Sequence, residues 1–265
     1  MCEQVKDITR LFEDLVLDFC KTNLHNVINR LDGDKFPNMP DIEIENKLYI
    51  ECTVAKKGKS SDGLTIQEPH YKKNVAAILP VIPNEIEQAL MHFAHQRLAN
   101  SLDSKNKQYE RHKKNINFNQ ELARIVAITV DISELSKDYY FDYLYEDTLW
   151  KLLWDNGSNI RRQFYLDGSW ADMPYKDGIE VKKQNGSTVP SGIFNYCKNN
   201  CNNISAILFI SPNKIRQVNK DIKIEKEDIY LCVNKYAEIK ITKDHWDLLL
   251  CPKILLEYPK CRRED

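Results

Sequence analysis

No apolar run in this 265-residue chain is long enough to cross a bilayer. The longest, Val75-Ala76-Ala77-Ile78-Leu79-Pro80-Val81-Ile82, is broken by proline, where a spanning helix needs about 20 apolar residues. The opening stretch, Met1 to Asp7, has neither a basic region nor an apolar one, so no cleaved signal peptide is expected. Net charge is lacking too. The 38 Lys and Arg nearly balance 39 Asp and Glu, which argues against coating of nucleic acid by bulk electrostatics. The eight cysteines lack zinc spacing: Cys197 and Cys201 form the one close pair, without a His-x-x-x-His to complete a tetrahedral site. Cys20, Cys52, Cys232 and Cys251 sit inside apolar runs as small hydrophobes, and a reducing compartment is the simplest setting.

Familiar catalytic signatures are also missing. Lys56-Lys57-Gly58-Lys59-Ser60 resembles the end of a phosphate-binding loop, but the first glycine of that motif would fall at Thr53. Gly168-Ser169 and Gly186-Ser187 lie in turns with no strand leading into a serine nucleophile. His92-Phe93-Ala94-His95 has neither the glutamate nor the spacing of a zinc helix. There is no internal repeat and no low-complexity tract.

What is present is an ordinary globular composition, 42% hydrophobic and 10% aromatic, enough for one large domain or two small ones. From Ile8 to Leu31 apolar residues recur every three or four positions, predicting one or two amphipathic helices stopped by Asp32-Gly33-Asp34. A polar loop follows from Lys56 to about Pro69. Asn84 and Glu87 make a capping pair that starts a helix running to about Tyr109. Arg124 to Asp131, Ile204 to Ile210 and Ile229 to Val233 read as buried strands, and a helix is expected near Glu134 to Trp154. Turn signals at Asp167-Gly168, Asp177-Gly178 and Asn185-Gly186 point to hairpins or long loops between Asn156 and Gly192. Strands alternating with helices indicate an α/β layer fold with a mixed sheet.

The chemistry-bearing stretch is Pro40 to Val54. Alternation along a strand puts Tyr49, Glu51 and Thr53 on one face and Ile50, Cys52 and Val54 on the other, which is apolar. A hairpin at Glu45-Asn46-Lys47 would bring Asp41 back beside Glu51. Two such carboxylates suit Mg²⁺, whose other positions are filled by water and substrate phosphate oxygens. On the helix from Asn84, the stripe begun by Ile86, Leu90, Phe93 and Ala94 continues, at roughly 100° per residue, through Arg97, Ser101, Lys105 and Gln108. Polar groups thus replace apolar ones on the inward face, and Lys107 points elsewhere. Basic clusters at 56–59, 72–73, 111–114, 161–162 and 260–263 read singly as solvated faces.

Pro40-Asp41 followed by Glu51-Cys52-Thr53 resembles the restriction-endonuclease-like, or PD-(D/E)xK, nuclease superfamily. It is similar to a bacterial subgroup in which Tyr-Ile-Glu-Cys-Thr precedes a helix bearing Arg, Ser and Lys at four-residue steps, here Arg97, Ser101 and Lys105. The strand 204–209 and Val233-Asn234-Lys235-Tyr236-Ala237 match that subgroup as well, and the resemblance covers roughly residues 38 to 240.

The resemblance implies a mixed central sheet flanked by helices, in three parts. These are an N-terminal helical segment (1–35), the endonuclease-like α/β domain (36–243) and a C-terminal extension packed on it (244–265). It implies hydrolysis of phosphodiesters with Mg²⁺ or Mn²⁺ held by Asp41, Glu51 and the Cys52 carbonyl. Lys105 would stand in for the motif lysine that Thr53 replaces. Arg97, Ser101, Thr53 and Gln108 would attend the substrate, and Glu13 or Asp14 from the first helix could complete the site. Nucleic acid, DNA ahead of RNA, is the implied partner, with a two-fold dimer an option and the bacterial cytoplasm the expected compartment. Two other readings stand beside this one. One is a catalytically inactive relative that binds nucleic acid or a protein, including as a secreted effector; the other is an interaction protein of unrelated fold.

Overall fold

The computed structural model describes residues 8–24, 26–30, 38–55, 84–130, 149–150, 152–154, 160–164, 170–174, 181–182, 188–189, 193–194, 201–210, 224, 229–249 and 253–256. The first element, α1 (Ile8–Asn23), buries Phe12, Leu15, Val16, Phe19 and Cys20 along one stripe, as the periodicity demands. It ends sooner than that periodicity predicts. The Asn23 side chain donates to the Phe19 carbonyl, and Asn26 takes a positive φ of 49°, which turns the chain out of the helix. Val27 and Ile28, read from the sequence as helix, instead form the short strand β1 (Val27–Asn29), because pairing with a neighbouring strand outweighs local periodicity.

Then come β2 (Ile42–Ile44) and β3 (Leu48–Ala55), antiparallel and joined by the expected hairpin. Glu45 and Asn46 both have positive φ, 52° and 53°, the backbone requirement of a type I′ turn, and Lys47 N–H closes it on the Ile44 carbonyl at 2.9 Å. The long helix α2 (Asn84–His112) begins where the capping pair places it and continues three residues past the predicted end. It leads to β4 (Ala123–Val130), buried at every position, as a strand with parallel partners on both sides must be.

Two hairpins follow, β5 (Ile160–Phe164) with β6 (Trp170–Pro174) and β7 (Val181–Lys182) with β8 (Thr188–Val189), on either side of the predicted Gly-containing turns. Next are β9 (Ala206–Ile210), β10 (Ile229–Val233), α3 (Lys243–Leu249) and β11 (Lys253–Leu255). Residues 149–150 and 152–154 are helical, as expected; the rest of the helix predicted over 134–154, and the loop predicted over 56–69, lie outside the described residues.

The seven-stranded sheet has the order β1-β2-β3-β4-β9-β10-β11 and is mixed: β3, β4 and β9 run parallel, and β1-β2-β3 and β9-β10 antiparallel. Its strands come from all three predicted segments, β1 from 1–35 and β11 from 244–265. One face, with Ile42, Ile50, Cys52, Ile125 and Ala127, packs on α1. The other, with Tyr49, Val126 and Ile128, packs on Leu98, Leu102 and Tyr109 of α2 and on Trp150 and Leu153. This is a layered α/β fold, and burial of each large apolar side chain is worth about 1.5–3 kcal/mol to it.

Candidate functional site

Asp41 and Glu51 meet because of the hairpin. The last β2–β3 pair is Ile42 opposite Ile50, so Asp41 falls opposite Glu51 one step further along, on the same face of the sheet. Asp41 is locked there by the Cys52 N–H, which donates to its Oδ2 at 2.7 Å. In an extended strand the N–H and C=O of one residue project to the same edge, so the Cys52 carbonyl also lies on the Asp41 side. Glu51 is fully buried, between β4 and α2.

The inward stripe of α2 supplies the donors. Lys105 Nζ lies 2.7 Å from Glu51 Oε2 and is itself only 14% exposed at the side chain. Gln108 Nε2 donates to Glu51 Oε1 at 3.3 Å. Lys107 turns outward, as expected, and pairs with Asp103 at 2.7 Å. Ser101 and Arg97 lie one and two turns before Lys105 on the same helix, Ser101 half-buried and Arg97 buried. Thr53, two residues beyond Glu51 on the same face of β3, is half-buried.

One site residue escapes the sequence reading. His112 Nε2 lies 2.6 Å from Glu51 Oε1, with the histidine 3% exposed. Its ring sits edge-on to Tyr109, centroids 5.9 Å apart, and 6.0 Å from Phe118. From sequence it belongs to the solvated basic cluster 111–114, beyond the predicted end of the helix. The signal was nonetheless there: one more step of the 105–108 stripe arrives at 112.

The charges do not balance. Burial, and then repulsion from Glu51, push the Asp41 carboxyl up to about 7, against the pull of Lys105 and the Cys52 amide. Burial opposes ionisation of Glu51 as well, but Lys105 and His112 together outweigh it and hold that carboxyl below its ordinary range. Lys105, despite its own burial, is raised by Glu51 and Asp41 and stays an ammonium. Glu13, on α1, reaches the same neighbourhood: burial raises its carboxyl, and it interacts electrostatically with both Lys105 and Asp41. Asp14 lies 3.6 Å from Arg10, which also bonds Glu13 at 3.4 Å.

No group of three or more His, Cys, Asp or Glu side chains arranged to hold a metal ion occurs among the described residues. The oxygens of Asp41 and Glu51 and the Cys52 carbonyl are nonetheless hard donors, and Mg²⁺ is commonly held by one or two carboxylates with the rest of its shell left to water and phosphate. An acid pushed up to about 7 beside a second ionised acid is short of positive charge, which a divalent cation would supply.

Comparison with protein-family models, curated proteins and solved structures finds no match. No described helix is long and apolar enough to cross a membrane.

Proposed function

We propose that this chain is a metal-dependent nuclease of the restriction-endonuclease-like kind, hydrolysing phosphodiester bonds of nucleic acid. The observation that carries the reading is the convergence of Asp41, Glu51 and Lys105 from a strand start, a central strand and a helix, with Lys105 2.7 Å from Glu51. Lys105 comes from 54 residues beyond Glu51, and burying three charged groups together is costly. A buried ionisable group perturbed by desolvation and a specific charge partner marks a candidate functional site.

Asp41, Glu51 and the Cys52 carbonyl would hold Mg²⁺ or Mn²⁺. When bound, the cation supplies a water of lowered pKa and neutralises charge on the scissile phosphate. The chain's own residues do the rest. The Cys52 amide fixes the position of Asp41, while Lys105 offers a charged donor to the attacking water or to the phosphate oxygen on which charge develops. Arg97 and Ser101, on the same stripe, would meet the neighbouring phosphates, and Thr53 and Gln108 would border the reacting group. With a net charge of -1, binding depends on such local groups rather than on a basic surface. Double-stranded DNA is the first substrate to try, with a two-fold dimer the natural arrangement for cutting both strands.

The test is cleavage of labelled DNA and RNA panels with Mg²⁺ and with EDTA. Wild type should cut only with the cation, and Glu51→Ala and Lys105→Ala should each lose about 100-fold or more, the scale for removing a group that stabilises developing charge. Equal cleavage by Glu51→Ala would reject the site, and no cleavage of either panel would reject the activity.

A further inference from the structure

The donors that hold Glu51 are divided unevenly between its two oxygens. Oε1 accepts from His112 Nε2 at 2.6 Å and from Gln108 Nε2 at 3.3 Å, while Oε2 accepts from Lys105 Nζ at 2.7 Å. A half-turn exchanges two equivalent oxygens and changes nothing, so what these donors fix is the plane of the carboxylate. His112 and Gln108, both on the oxygen away from Lys105, oppose its twisting out of that plane.

The histidine is built for this contact. It is 3% exposed, its ring is packed by Tyr109 and Phe118, and Phe118 stacks in turn on Tyr49 with centroids 4.9 Å apart. Its Nδ1 is buried and has no hydrogen-bond partner among the described residues, so Glu51 is the polar group that the ring serves. A carboxylate acceptor demands a hydrogen on Nε2. A histidine kept only to fill space would not carry an unpaired buried nitrogen, because leaving one costs stability that an apolar side chain of similar size avoids.

We infer that His112, with Gln108, is a positioning residue: it pins Oε1 of Glu51, so that Oε2 is the oxygen presented to Lys105. The consequence for the cation rests on the nuclease reading: Glu51 would ligate through Oε2 alone, and His112 would set the metal affinity without touching metal or substrate. The consequence for Lys105 does not depend on that reading.

The experiment uses the full chain as wild type, His112→Leu, His112→Gln and Glu51→Gln. Gln places an amide nitrogen near the former Nε2, whereas Leu keeps the bulk and removes the donor. Without metal, reductive methylation of the Lys105 amine is followed by peptide mass spectrometry. His112→Leu and Glu51→Gln should each raise its rate about tenfold, with His112→Gln staying within about threefold of wild type. Protection of Lys105 in folded His112→Leu equal to that in wild type overturns the inference.

Should His112→Leu not fold, nitrogen-15 NMR of the histidine ring decides. An exchange-protected Nε2 proton that shifts in Glu51→Gln is expected, and its absence in wild type overturns the inference. Mn²⁺ titration by electron paramagnetic resonance then separates the two readings. Binding should weaken about 10- to 100-fold in His112→Leu and recover in His112→Gln. Unchanged Mn²⁺ affinity in His112→Leu counts against the inference, whereas no Mn²⁺ binding by wild type overturns the nuclease reading and leaves the methylation and NMR results to decide the role of His112.

Discussion

Two buried charge clusters lie beside Tyr49 and Phe118, and they are constructed in opposite ways. Around Arg124, which is 1% exposed, acids and bases balance, although the guanidinium Nε has no hydrogen-bond partner among the described residues. Its guanidinium donates to the Gln120 carbonyl at 2.8 Å, to Asn203 Oδ1 at 3.3 Å and to Glu238 Oε2 at 2.9 Å. Lys113 shares the same Glu238 oxygen at 2.7 Å and also bonds Glu110 at 3.1 Å. Glu238 opens to solvent, and its bonds to Lys113 and Arg124 hold its carboxyl below the ordinary range. Around Glu51 the acids outnumber the ammonium: Asp41, Glu51 and Glu13 all act on Lys105, and Asp41 bears the deficit. The first cluster ties the end of α2 and the start of β4 to the segments after β10 and before β9. The second is held together at a cost, and a cost retained in a buried site is a mark of function.

The contrast breaks most sharply at Asp41. Its folded pKa, about 7, lies above the unfolded value of 3.8, so the folded state holds a proton that the unfolded state has released between those values. That contribution is fully present below about pH 4 and is lost as pH rises through about 7, at on the order of 4 kcal/mol. Urea unfolding in EDTA should therefore show wild type losing stability from pH 4 to 8 relative to Asp41→Asn, with the two variants closest at the acid end. A parallel pH dependence in both would mean that Asp41 is not the strained group.

Next comes Arg124→Leu. It leaves the Gln120 carbonyl and Asn203 Oδ1 without their guanidinium, at about 2–3 kcal/mol in urea unfolding. No pH-dependent gain should accompany it, because the cluster stores no strain. A neutral or stabilising result would erase the distinction between the clusters.

A divalent cation should act on one cluster alone. At a concentration of 100 times its Kd, Mg²⁺ or Mn²⁺ should stabilise wild type at pH 8 by about 2.7 kcal/mol. Arg124→Leu should gain as much and Glu51→Gln should not, as read by the midpoint of thermal unfolding. Equal gains in Glu51→Gln would place the cation elsewhere. The smallest effect is expected from Glu238→Gln. With Glu238 48% exposed, the loss should stay under about 1 kcal/mol.

Much of the charged site was legible because it is local or periodic. Alternation along β3 fixes which face carries Glu51, the hairpin residues bring Asp41 opposite it, and a 100° step along α2 finds Lys105 and Gln108. His112 lies beyond Tyr109, where the predicted helix ends, and its basic neighbours, Arg111, Lys113 and Lys114, resemble a solvated surface. The stripe reaches position 112, but its burial depends on Phe118, which stacks in turn on Tyr49, from a strand 63 positions earlier than His112. β1 is hidden for a related reason: Val27 and Ile28 keep the helical period, and only the partner strand makes them extended. The Arg124 cluster has no sequence signature, because its partners Asn203 and Glu238 lie 79 and 114 residues away.

The sequence by itself determined the alternation of strands and helices, the hairpin, and the two periodic stripes that carry an acid on β3 and an amine on α2. Those are properties of a chain's nearest few residues, set by backbone sterics and by the 2.0 and 3.6 periods of side-chain direction. Tertiary structure alone decided the parallel pairing of β3 with β4, the burial of Glu51 between sheet and helix, and the arrival of His112 at its second oxygen. Those depend on segments brought together across long stretches of chain, where the loss of water, and not local preference, sets the energy of a charge.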